Sequence, residues 1–262
     1  MAHTPRHDDI IRILHSLKKV TVQELTERLQ VSEVTIRKDL GVLEEMGRLV
    51  RTYGGAQLAE DSGLTRSLTE RKEQYREIKK AIARQAAEFI REGDTIYLDA
   101  GSTCLFLARE IREMNLRVLT NSIEVMVELA DMPGISLFST GGSYRKAAGS
   151  FIGPVAMEGV KNFHIETCFI GTSGISNEAL FSAQNSIESQ FKTQVLRIAD
   201  RRIILADHYK LGHSAFSVFA RPGDVDLLIT DCLKMKEEER EQVLSLKRSF
   251  EAMNIEVILV EA

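Results

Sequence analysis

Cysteine pairs, long apolar runs and nucleotide fingerprints are all missing from this chain, and each absence narrows its class. The three cysteines, Cys104, Cys168 and Cys232, are odd in number, far apart and without a Cys-x-x-Cys pair. Neither a disulfide framework nor a zinc or redox motif is expected, and they read as reduced thiols, mostly in the core of a cytoplasmic protein. No apolar run approaches the roughly 18–20 residues of a membrane span. The polar start MAHTPRHDD has no h-region and no small-residue cleavage site, so secretion is not expected. There is no Gly-x-x-x-x-Gly-Lys and no Gly-x-Gly-x-x-Gly, so no nucleotide cofactor is expected. The histidines, His208 and His213 among them, do not fall at a metal-binding spacing, so no metal site is expected. Repeats of fixed period and low-complexity segments are absent as well.

What remains is an ordinary globular composition, 44% hydrophobic and 27% charged, over 262 residues. At roughly 150 residues per domain that length suggests two domains. The net charge of −4 divides unevenly, +1 over residues 1–58 and −5 over the rest. A neutral-to-basic head on an acidic body permits DNA binding without requiring it.

Residues 1–58 read as three short helices and a hairpin. Ile10, Ile11, Leu14 and Leu17 recur at helical spacing. In VTVQELTERLQ, Thr21 and Glu24 form a capping box over a stripe of Leu25 and Leu29. Ser32 is placed to cap a third helix carrying Ile36, Leu40 and Leu43 on one face, with Gly47 at its C′ position. Only Gln30 and Val31 separate the second helix from Ser32, the brevity of a helix-turn-helix. RLVRTYGGAQL then alternates around Gly54-Gly55 as a small wing. A recognition helix places its N-terminal residues in the major groove, and the outward ones here are Glu33, Val34, Thr35, Arg37 and Lys38. Arg37 can fork onto a guanine edge, while Thr35 can meet a thymine methyl or a phosphate. Lys38, Arg48, Arg51 and Tyr53 are candidates for backbone contacts. The bland alternative is a helical bundle with a solvated charged face.

A charge-rich linker at 59–75 leads into a helix with Ile78, Ile82, Ala86, Phe89 and Ile90 on its buried side. From Asp94 onward short apolar runs alternate with helical stretches: TIYLD, RVLT, ISLFST, TCFIG, RIILAD, DLLITD and EVILVEA. This is the pattern of βαβ units on a mostly parallel sheet, which binds ligands at the carboxyl ends of its strands. Four strand ends carry polar loops there: Asp99-Ala-Gly101-Ser102-Thr103, Thr120-Asn121-Ser122, Thr140-Gly141-Gly142 with Arg145 and Lys146 beyond, and Gly171-Thr-Ser173-Gly174. Any one of them alone is an ordinary βα loop. Together they form a crown of hydroxyls, amides and an arginine that suits a phosphorylated polyol, with a helix N-terminus after Gly101 to hold the anion. Glu188 and Lys192, at i and i+4, read either as a surface ion pair or as residues facing the crown. Asp207 and Lys210 follow a strand at the same end.

At this point the chain resembles a known family. VTVQELTERLQVSEVTIRKDLGVLEEMGRLVRTYGGA is similar to the head of the DeoR-type bacterial transcription regulators, through Thr-Ile-Arg-x-Asp-Leu, the Leu-Glu-x-x-Gly end and the Gly-Gly-Ala after the wing. Asp-x-Gly-Ser-Thr, Thr-Asn-Ser, Gly-Gly-x-x-Arg, Phe-Ile-Gly-x-x-Gly, Glu-x-x-x-Lys and Asp-x-x-Lys resemble the family's effector domain, in order. The resemblance covers nearly the whole chain. It implies an α/β fold: a winged helix-turn-helix at 1–58 that binds operator DNA, and at 76–262 a larger Rossmann-like domain similar to ribose-5-phosphate isomerase. It also implies a sugar phosphate held by Ser102, Thr103, Asn121, Ser122, Gly141, Gly142, Arg145, Gly171, Glu188, Lys192, Asp207 and Lys210. Three positions depart from the family pattern. Lys38 stands where a second arginine is usual, Lys18-Lys19 where a glycine commonly precedes the Val-x-Val segment, and His208-Tyr209 where small hydroxyl residues are common.

Two functions fit. One is a repressor of a sugar catabolic operon, a homodimer or homotetramer without cofactor or membrane contact, whose operator affinity a phosphorylated sugar changes. The other is a sugar-phosphate isomerase-like enzyme with an accessory DNA-binding domain. Isomerisation needs a base beside the carbonyl carbon. The related isomerases use an acid-rich loop, and the corresponding Gly171–Ser176 has no carboxylate. That favours the regulator.

Overall fold

The computed structural model describes residues 5–17, 19–45, 49–52, 54–58, 74–146 and 148–261. The chain divides into two compact units, Met1–Ser67 and Leu68–Ala262.

The first unit is built from α1 (Pro5–Leu17), β1 (Lys19–Thr21), α2 (Val22–Leu29), α3 (Glu33–Glu45), β2 (Leu49–Thr52) and β3 (Gly55–Leu58). The capping box is present: the Glu24 N–H donates to Thr21 Oγ1, and the Thr21 N–H donates to the Glu24 carboxylate. Gln30 ends α2 in a left-handed conformation, φ 54°. After it the Thr35 N–H donates to Ser32 Oγ at 3.3 Å, so Ser32 caps α3. Ile10, Leu14, Leu25, Ile36, Leu40 and Leu43 close the core. Leu17 departs from the expected stripe: it is the last residue of α1 and stands 40% exposed. The sequence pattern also missed β1, which pairs with β3 and gives the wing a third strand in the order β1-β3-β2. Gly55 sits at that junction, where any side chain would run into the Val20 carbonyl.

The second unit is a three-layer α/β/α sandwich. Its strands and helices are α4 (Arg76–Ala87), β4 (Thr95–Leu98), α5 (Ser102–Glu110), β5 (Leu116–Thr120), α6 (Ile123–Leu129), β6 (Ile135–Ser139), β7 (Ser143–Arg145), β8 (Ser150–Ile152), α7 (Pro154–Val160), β9 (Ile165–Gly171), β10 (Gly174–Ile175), β11 (Phe181–Ala183), α8 (Ser186–Ile198), β12 (Ala199–Leu205), β13 (Ser217–Ala220), β14 (Leu227–Asp231), α9 (Glu237–Ala252) and β15 (Glu256–Val260). Seven strands form one parallel sheet in the order β15-β14-β12-β9-β4-β5-β6. All seven apolar runs of the sequence are in it.

Alternate residues of the central strands feed two cores. Ile96, Leu98, Phe169, Ile203 and Leu205 pack under α4, α5 and α6. Tyr97, Cys168, Ile170 and Ile204 pack under α7, α8 and α9. A sheet covered on both faces needs strands apolar on both sides, which is why the runs are continuous. Phe89, expected on the buried side of α4, lies beyond its end and is half-buried, its ring beneath the Arg201 guanidinium at 4.6 Å. The chain order reverses between β4 and β9, so their connections leave in opposite directions and open a crevice at the carboxyl ends, the point at which such sheets take ligands. A small antiparallel sheet, β10-β11-β13, and the hairpin β7-β8 lie outside the main sheet.

Candidate functional site

The head offers the N-terminal half of α3. Val34 is 77% exposed, and Arg37 and Lys38 are exposed beside it. Arg37 Nη2 donates to the Glu33 carboxylate at 3.2 Å, so forking onto a base requires releasing that neighbour. Thr35 Oγ1 lies 2.9 Å from Ser32 Oγ, tied to the cap. Arg51, on β2, is exposed, while Arg48, Tyr53 and Gly47 lie outside the described residues. Sequence reasoning missed the anchor of this helix. Asp39 is buried and accepts from Arg6 Nε at 2.5 Å and Nη2 at 3.1 Å, with His7 Nε2 at 3.3 Å. Burial works to raise the Asp39 carboxyl, but Arg6 and His7 outweigh it and hold its pKa below the ordinary value. The trio ties the reading helix to α1. The signal was a carboxylate set directly beside the apolar Leu40.

In the larger unit the site grows from the crevice between β4 and β9. Asp99, directly after β4, is buried, and its Oδ2 accepts from the Gly171 N–H at 3.1 Å and from Lys192 Nζ at 2.8 Å. Lys192 also donates to the Gly171 carbonyl at 2.6 Å and lies 3.4 Å from Glu188. The surface-pair reading of Glu188 and Lys192 is therefore overturned: Lys192 is 4% exposed and crosses from α8 to the ends of both switch-point strands. Burial would lower the Lys192 pKa, and the charges of Asp99 and Glu188 outweigh it, so the ammonium is held above its ordinary value. Glu188 reaches the other way to Arg145 Nη1 at 3.1 Å. Asn185 caps α8, accepting from the Glu188 N–H at 2.9 Å and donating to its carboxylate at 3.1 Å.

The second loop is scaffold. Thr120, Asn121 and Ser122 are all buried. Thr120 Oγ1 donates to the Leu98 carbonyl at 2.7 Å, and Ser122 Oγ caps α6. Asn121 Oδ1 accepts from Tyr97 at 2.9 Å and from the Ala100 N–H at 3.1 Å. Asn121 thereby holds the start of the Asp99 loop, with Tyr97 as a partner the sequence did not reveal. Ser102 and Thr103 open α5, whose N-cap Gly101 supplies no side-chain cap. The first-turn N–H groups of α5 are the feature of the crown best suited to an anion. Gly141 and Gly142 adopt φ of 63° and 111°. A Cβ on Gly142 would come within 2.7 Å of the Ile152 carbonyl. Gly174 belongs to β10, and the Ser173 N–H donates to the Ser182 carbonyl at 2.9 Å, so both serve the small sheet. Asp207 and Lys210 bracket a 3-10 turn after β12, and Asp207 Oδ1 is buried without a hydrogen-bond partner. Among the described residues no group of three His, Cys, Asp or Glu side chains could hold a metal ion.

Two family matches decide what this pairing of units is. Residues 6–62 match the DeoR-like helix-turn-helix domain, and residues 74–232 match the DeoR C terminal sensor domain. The chain belongs to the DeoR family. It is 34% identical to the HTH-type transcriptional repressor GlcR of Bacillus subtilis over 87% of this chain and 89% of that protein. It is 34% identical to the HTH-type transcriptional regulator GolR of Listeria innocua, over 86% and 89%. It is 31% identical to the L-fucose operon activator of Escherichia coli, over 86% and 94%. A solved ribose 5-phosphate isomerase from Methanocaldococcus jannaschii is similar over 52% of this chain and 55% of its own, with 18% identity and a TM-score of 0.38. As a DeoR-family member the chain is a transcriptional regulator, and its two units are a DNA-binding head and a sensor domain. No helix of the described residues is long and apolar enough to cross a membrane.

Proposed function

We propose that this regulator represses an operon for the use of a sugar, and that a phosphorylated form of the sugar, bound at the crown, lowers its affinity for the operator. The observation that carries the reading is the uncapped N-terminus of α5, with Ser102 and Thr103 in its first turn, opening at the β4/β9 reversal beside Lys192. Backbone N–H groups and the helix dipole favour a phosphate there. Arg145 and Lys192 add cationic charge, and the hydroxyls of Ser102 and Thr103 suit a polyol. The relatives support control of carbohydrate genes, since one is named an L-fucose operon activator, and support repression, since GlcR is named a repressor.

The same geometry speaks against isomerase chemistry. Glu188 is engaged by Arg145, Lys192 and Asn185, and Asp99 by Lys192 and Gly171. A general base takes a proton from its substrate, and both carboxylates here already hold donors of their own, which supports the regulator reading. The protein acts as a homo-oligomer in the cytoplasm, because a helix-turn-helix reads two half-sites as a dimer, and it needs no cofactor beyond its effector. Thermal-shift measurements with a panel of sugar phosphates, followed by footprinting upstream of neighbouring sugar genes, test the reading. A stabilising sugar phosphate that releases the footprint is expected. Isomerase turnover, or a footprint indifferent to every sugar phosphate that binds, would overturn it.

A further inference from the structure

The turn Asp207–Lys210 follows β12, whose neighbour in the sheet is β9, itself beside β4. Adjacent strands lie about 4.8 Å apart, so the ends of β12 and β4, two places along the sheet, stand about 10 Å apart. It carries two rings, His208 and Tyr209. His208 is fixed from below: its N–H and its Nδ1 meet the buried Asp231 carboxylate at 2.9 Å and 2.7 Å. Its ring lies against Tyr209, centroids 3.9 Å apart. Tyr209 in turn stacks on Tyr75 at 4.0 Å, the planes 18° apart.

Tyr75 is the residue just before α4, and it holds a left-handed backbone, φ 57° and ψ 34°, with no side-chain cap. That conformation is unfavourable for a bulky residue and persists only where surroundings impose it. The stack on Tyr209 is such a constraint. Residues 59–73, outside the described residues, join this point to the DNA-binding head along the chain.

A second observation concerns the turn itself. Asp99 and Asp231, both buried, each have two or more donors. Asp207, 3% exposed, has a buried Oδ1 with none. A buried carboxylate oxygen without a donor is costly, so a donor brought to it favours whichever arrangement of the turn accepts it. Lys210 on the same turn, or a hydroxyl of a polyol in the crevice, is a donor of the right kind.

We propose that Tyr209 and Tyr75 are the positioning pair by which effector occupancy at the Asp207–Lys210 turn resets the start of α4, and with it the chain leading to the head. This rests on the sugar-phosphate reading above. Only a ligand that favours one arrangement of the turn over the other shifts it, and the stack converts that preference into a change at Tyr75.

Hydrogen–deuterium exchange of the full chain tests this, read separately at residues 99–106 and 74–82, with ribose 5-phosphate, glucose 6-phosphate and fructose 1-phosphate as probes. A probe that slows exchange at 99–106 is expected to change it at 74–82 by threefold or more. Tyr209→Phe keeps both responses, and Tyr209→Ala keeps the first and loses the second. Should Tyr209→Ala not fold, Tyr75→Ser removes the other ring and carries the same expectation. The relay is overturned, with the ligand reading intact, by protection at 99–106 without a response at 74–82. A response that survives loss of either ring, or that Tyr209→Phe abolishes, overturns it equally. If no probe protects 99–106, the ligand reading fails and the relay fails with it.

Discussion

Lys192 is charged and almost wholly buried, and its three partners come from three places in the chain: Asp99 after β4, Gly171 at the end of β9 and Glu188 one turn back on α8. Removing one member of a buried pair leaves the other uncompensated, which costs about 3–5 kcal/mol. Lys192→Met is therefore expected to destabilise the sensor domain by about that amount in urea unfolding, and Asp99→Asn added to it should recover part of the loss. A single-variant cost under about 1 kcal/mol would mean that Asp99 finds another partner. Arg145 is tied to the same group differently, through an ion pair that is partly open to solvent. Glu188 holds the guanidinium that an anionic effector would want, so Glu188→Gln should tighten sugar-phosphate binding several-fold by calorimetry, and Arg145→Ala should weaken it. At the head, Arg37→Ala should remove about 1–3 kcal/mol of discrimination between operator and unrelated DNA. Equal footprints from variant and parent would show that α3 does not read bases through this residue.

The reading helix behaves as an element because Asp39 fixes it to α1. Its folded pKa lies below the unfolded value of about 3.9, since Arg6 and His7 outweigh its burial. An acid shifted down in this way stabilises the fold above its unfolded pKa and loses that contribution as pH falls through the folded one. The head should accordingly lose stability as pH drops below about 3.9. Asp39→Asn should be less stable at neutral pH and should flatten that acid limb, which melts followed by circular dichroism would show. Such elements differ in how far the sequence discloses them. The seven sheet strands were legible as short, mostly apolar runs, because the central strands are covered on both faces. Of the head helices, α2 and α3 were legible because their caps, Thr21 and Ser32, sit at short range from their apolar stripes, and α1 by its stripe alone. By contrast β1, β10 and β11 are two or three residues long, too short for any period to register, and they form only because distant backbone is brought alongside. The same holds for the site. Its polar loops were visible as loops, but that Thr120 and Asn121 spend their groups on scaffold, while Lys192 reaches the crevice, depends on contacts 21 to 93 residues apart.

For the molecule as a whole, the proposed relief of repression by a sugar phosphate is a linkage between two sites. A coupling of about 1–3 kcal/mol corresponds to a 5- to 150-fold change in operator affinity, and it must be reciprocal. Saturating operator DNA is therefore expected to weaken effector binding by the same factor, measurable by titrating the effector with and without the DNA fragment. Unequal factors would show that the two ligands do not share one pair of states. The thiols offer a way to watch these states by unit. Cys104, Cys168 and Cys232 are all buried and free of disulfides, and all three belong to the sensor domain. Burial pushes the Cys168 thiol up to about 12, so at neutral pH it is neither exposed nor a thiolate. Alkylation of Cys104 and Cys168, both fully buried, thus reports the opening of the sensor domain and is blind to the head. The rate at which the protein takes up label serves as a built-in clock for that unit alone, and a true effector should slow it.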